Sequence, residues 1–103
     1  QARLLMLVAR KSNLEVMGQS LNQERMMLAC MTSQLFNSSS NLDPDSANAR
    51  DLQNKIERLQ QVDQMLELRL KRVDSQHEMV KTEVQAIDKV LKENIQSSFK
   101  TFA

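Results

Sequence analysis

The chain has 103 residues, enough for one domain with a modest buried core. With one Gly, one Pro, three Phe and neither Trp nor Tyr, it lacks the turns of a β architecture and the rings of an aromatic core. Its 14 basic and 13 acidic residues leave a formal charge of +1, too balanced for a dedicated nucleic-acid binder.

The first stretch, Ala2 to Phe36, carries leucines at a seven-residue beat: Leu7, Leu14, Leu21, Leu28 and Leu35. Met17 and Met31 stand three residues further on, so the spacing predicts a helix over 2–36 with these residues on one stripe. Gly18 interrupts it at a cost of about 1 kcal/mol against Ala. The apolar run Leu4 to Ala9 spans six residues, too short for a membrane span or a secretory core.

Residues 37–43 read as the loop, a cluster of Asn, Ser and Asp leading into the only Pro. Asp43 is placed to cap a following helix and Pro44 to occupy its first turn, where the missing N–H costs nothing. That helix is expected over 44–101, because no further Gly or Pro interrupts the chain.

The second helix repeats with a 3,4 spacing. One series runs Ala49, Ile56, Asp63, Leu70, His77, Val84, Leu91, Ser98, and the other Leu52, Leu59, Leu66, Val73, Val80, Ile87, Asn94; eleven of these fifteen positions are apolar, the signature of a coiled-coil seam. Two helices and a short loop fold back most simply as an antiparallel hairpin, giving an all-α, coiled-coil-like single domain with a long second helix. The expected intrachain seam comprises Leu7, Leu14, Leu21, Leu28 and Leu35 against Leu52, Ile56, Leu59, Leu66, Leu70 and Val73. A loop centre near Asn41 and Leu42 sets Gln1 opposite about Thr82, Cys30 opposite about Gln53, and Asp63 near Gln19, Ser20 and Asn22.

This pairing leaves the end of helix two without a partner although it carries Val84, Leu91, Ile95, Phe99 and Phe102. In helix one, the runs Leu4 to Ala9 and Met26 to Met31 each hold six consecutive residues without a polar member, which covers every face of a helix. A hairpin covers one face, so further copies are expected on the others. The expected assembly interface is therefore Leu4, Leu5, Met6, Val8, Met26, Met27, Met31, Val84, Leu91, Ile95, Phe99 and Phe102.

Little in the chain suggests chemistry. His77 and Asp63 both fall on seam positions and read as register residues, Asp63 equally as a solvent-exposed charge at a splayed seam. For His77, a pH-sensitive role is outweighed by that of a hydrogen-bonded seam histidine. They stand fourteen residues apart on one helix, about 21 Å, which excludes a dyad within a chain. Cys30 reads as a small buried apolar residue, and no phosphate loop or zinc pattern occurs. Arg69, Lys71 and Arg72 are interleaved with Glu67 and Asp74, so a solvated face outweighs a phosphate site. No enzyme activity, cofactor, metal or nucleic-acid partner is expected.

The hairpin turning at Asn41-Leu42-Asp43-Pro44-Asp45-Ser46, with apolar ends, resembles the needle-type helical-hairpin subunits that bacteria polymerise into surface filaments. The resemblance implies a helical polymer of interleaved terminal helices, an extracellular or cell-surface location, and no catalytic residues. The expectation is thus a structural subunit whose partners are copies of itself. The alternative is a cytoplasmic adaptor or chaperone whose methionine-rich helix binds a helix of another protein.

Overall fold

In a computed structural model, described here for the backbone of residues 2–102 and the side chains of residues 2–100, the chain is all-α. Helix α1 spans Ala2–Ser39 and the longer α2 spans Ala47–Phe102, together forming an antiparallel hairpin with no strand among the described residues. The hairpin consists of two compact units. The loop unit comprises residues 18–72, and the terminal unit joins residues 2–17 to residues 73–102.

Both helices bury one stripe. On α2 every position of the predicted seam from Ala49 to Leu91 is buried or half-buried, and off that seam only Glu67 and Lys81 are withdrawn from full exposure. Ile56 and Leu66 are buried in the loop unit, Val73 and Val80 in the terminal unit. Helix α1 contributes all five predicted leucines, of which Leu14 is buried and the others half-buried. The fold class is therefore as expected, and each leucine, isoleucine and valine named for the seam is buried or half-buried.

The second stripe of α1 differs from the expectation. Met17 and Met31 are exposed, and the residues that accompany the leucines into the seam are Leu4, Lys11, Gly18, Arg25, Thr32 and Ser39. Choosing the residue four on from each leucine rather than three on turns the helix by roughly 100° in the placement of that second row. Because α1 is apolar on several sides, burial alone favours neither choice, and the polar partners waiting on α2 decide it.

The loop lies later than expected and caps its helix differently. Helix α1 continues to Ser39 because the serines bond backwards: Ser38 and Ser39 hydroxyls donate to the carbonyls of Gln34 and Phe36 at 3.0 and 2.7 Å. The Leu42 N–H then closes a turn on the Ser39 carbonyl at 3.1 Å. Asp43 does not cap α2, and Pro44 is not in its first turn. Asp43 instead accepts from the Asp45 N–H at 3.1 Å, and Pro44 sits inside a turn closed by the Ser46 N–H on the Asp43 carbonyl at 3.0 Å. The cap is Ser46, whose hydroxyl oxygen accepts from the Ala49 N–H at 3.1 Å. The predicted loop 37–43 is thereby displaced to residues 40–46.

This displacement changes the pairing. In the terminal unit Arg3 reaches Glu83, and in the loop unit Arg25 reaches Asp63, several residues beyond the partners expected from a loop centred at Asn41. Val84, Ile87 and Leu91 are consequently half-buried, and full exposure begins only at Lys92 and continues to Lys100. Phe102 belongs to the helix, but its side chain lies outside the described residues.

The buried core is small: five side chains in the whole described chain, none wholly inaccessible. Truncating one of them is expected to cost about 2–3 kcal/mol, so Leu14→Ala and Val80→Ala should lower the unfolding midpoint clearly in chemical denaturation. Ser46→Ala should cost about 1 kcal/mol, and Asp43→Ala distinctly less, reversing the order that a cap at Asp43 would give.

Candidate functional site: a polar seam beneath exposed apolar faces

In the loop unit, Asp63 sits at a seam position where an apolar residue would ordinarily stand. Arg25 answers it with two parallel hydrogen bonds: Nε donates to Oδ1 at 2.9 Å and Nη2 to Oδ2 at 3.2 Å. The planar guanidinium matches the carboxylate plane, which fixes distance and orientation together. Glu67, one turn along α2, lies 4.0 Å from Arg25 Nη2 and 3.4 Å from Lys71 Nζ. Hydrogen bonding from Arg25, followed by its positive charge, holds the Asp63 carboxyl below its ordinary range against an opposing effect of desolvation. The same bond raises Arg25.

The terminal unit repeats the device with different chemistry. His77, also at a seam position, places Nε2 3.0 Å from Glu15 Oε1, while Lys11 Nζ lies 3.8 Å from that oxygen. The hydrogen bond from His77, more than the nearby Lys11 charge, lowers the Glu15 carboxyl. Both expected register residues thus find cross-helix partners, Asp63 meeting Arg25 instead of Gln19, Ser20 or Asn22. A loop over 37–43 sets the helices several residues out of this register, which hides Arg25, Glu15, Lys11 and Glu67 from the sequence pattern. The available signal was the polar row Lys11, Gly18, Arg25, Thr32, which keeps the same beat as the leucines.

Above this seam the surface is unusually apolar. In the terminal unit Leu5, Met6 and Val8 are exposed on α1, as are Ile95 and Phe99 on α2; in the loop unit Met26, Met27 and Met31 are exposed on α1. Of the residues expected at an assembly interface, Leu4, Val84 and Leu91 instead belong to the half-buried seam stripe. All seven methionines of the chain, Met65 and Met79 included, are solvent-exposed. Cys30 is also exposed among the outer methionines of α1, where a buried position was expected.

Open grooves flank the two helices in the loop unit. One is lined by Arg25, Leu28, Leu59 and Asp63, the other by Met31, Leu35, Lys55 and Arg58. Among the described residues no three His, Cys, Asp or Glu side chains come together to hold a metal ion, and no helix is long and apolar enough to cross a membrane.

Comparison of the chain with family models, curated proteins and solved structures returned no match.

The lowered Asp63 carboxyl has a directional consequence. A carboxyl whose folded pKa lies below its unfolded value contributes stability that is complete above the unfolded value and is lost as pH falls through the folded one. Acid titration of thermal stability should therefore show a loss attributable to Asp63 beginning below about pH 4, and Asp63→Asn should flatten that limb. An equally steep limb in the variant would contradict the pairing.

Proposed function

We propose that this protein is a non-enzymatic structural subunit that self-assembles by helix packing into a filament or tube. The observation that carries the reading is the exposure of large apolar side chains on both units: Leu5, Met6 and Met26 are each about 70% exposed, and Phe99 75%. Soluble monomers seldom leave such side chains clustered in water. Covering them at roughly 25 cal/mol per Å² provides the driving force that the thin core lacks. The seam clamps keep the hairpin in one register while its outer faces are engaged.

A second reading is supported by the seven exposed methionines. Flexible thioethers repack around differing partner surfaces, which suits an adaptor that binds another protein's helix.

Electron microscopy and sedimentation velocity separate the two. Assembly is expected at concentrations on the order of 50 µM, where self-association of moderate affinity is populated. Met27→Asp and Ile95→Asp should each suppress it without loss of helicity, because both side chains are exposed. A chain that remains monomeric, with its helicity intact, contradicts the first reading; a 1:1 complex with a foreign helix and no self-assembly supports the second.

A further inference from the structure

Beyond the buried seam, α2 carries another stripe with the same seven-residue beat. It starts one residue before each first seam position and continues three residues later. In the loop unit this row contains Asn48, Asp51, Lys55, Arg58, Val62, Met65, Arg69 and Arg72. Val62 and Met65 are 43% and 56% exposed, and none of the four cations has an ion-pair partner. Lys55 and Arg58 border the groove whose apolar side is formed by Met31, Leu35 and Leu59. This is an apolar strip edged by four cations against one acid, Asp51.

In the terminal unit the same row contains Gln76, Met79, Glu83, Ala86, Val90, Glu93, Ser97 and Lys100. Met79 and Val90 are 65% and 53% exposed, and here the charges on the row are two acids, Glu83 and Glu93, with one cation, Lys100, at its end. Glu83 is touched at 3.9 Å by Arg3 of α1, a contact at the outer limit of an ion pair, while Glu93 has no ion-pair partner. The two strips share helical spacing and apolar content and carry opposite net charge.

We infer that the basic strip of one copy docks the acidic strip of a second copy in antiparallel orientation. Counting along the two helices in opposite directions brings Val62 to Val90, Met65 to Ala86, Arg69 to Glu83 and Arg58 to Glu93 of the second copy, within about one residue of a common register. A parallel docking also matches Arg58 to Glu83, Met65 to Val90 and Arg69 to Glu93, but only the antiparallel one in addition sets Asp51 against Lys100, the one reversed charge in each strip. Because the two surfaces differ, the contact either closes by being made twice between two copies or propagates from copy to copy. This inference rests on the self-assembly reading and specifies its charged contact.

The test uses the full chain in two variants, Arg58→Glu with Arg69→Glu, and Glu83→Lys with Glu93→Lys. All four side chains are on exposed residues, and circular dichroism checks that helicity is retained. In sedimentation at low salt each variant alone is expected to associate roughly tenfold more weakly than wild type, and an equimolar mixture to recover most of that loss. Association unaffected by either variant, or a mixture no stronger than its components, overturns this contact and leaves self-assembly through the apolar faces standing. A wild-type chain that is monomeric overturns both. Binding of an acidic amphipathic peptide through Arg58 and Arg69 by such a monomer would identify a foreign helix as the occupant instead.

Discussion

Two helices packed side by side can cover only one face of each. In α2 the seam positions from Ala49 to Leu91 are buried or half-buried, apolar apart from Asp63 and His77, and the remaining faces are mostly polar and charged. Helix α1 differs. Apolar residues surround the helix at Leu4 to Ala9 and again at Met26 to Met31, so satisfying the seam leaves most of each cluster in water. The small core, the exposed methionines and the dependence on polar clamps for register all descend from this geometry.

The clamps are informative because they lie where burial gives no instruction. A helix apolar all round could rotate against its neighbour at little hydrophobic cost. Arg25 on Asp63 and Glu15 on His77 remove that freedom, one in each unit. Partly exposed pairs of this kind contribute little net stability, since solvent screens them. Their contribution is specificity: rotating α1 to bury the row of Met17 and Met31 would bring Glu24 to the place of Arg25 and leave Asp63 at the seam without a donor.

The legibility of the sequence followed the same division. Helix α2 was readable because its apolar residues recur at one spacing and its charges occupy the remainder. The face of α1 was not, since Met17 and Lys11 were equally placed beside the leucine row and only the partner helix distinguishes them. The register shift arose from three serines. Ser38 and Ser39 return their hydroxyls to backbone carbonyls and lengthen α1, and Ser46 takes the capping role that Asp43-Pro44 seemed suited for. Serine supports all three conformations through the same hydroxyl, so its choice depends on neighbours a sequence does not display. The uncovered apolar bands, in contrast, were evident from six-residue runs that no single packing face can absorb.

If the outer faces are covered by copies of the chain, stability must depend on how many copies are present. Thermal unfolding followed by circular dichroism over a hundredfold range of protein concentration tests this directly, because binding confined to the folded state raises its midpoint by mass action. The account predicts a midpoint that climbs steadily with concentration. A midpoint independent of concentration, accompanied by a monomeric mass throughout, would contradict it.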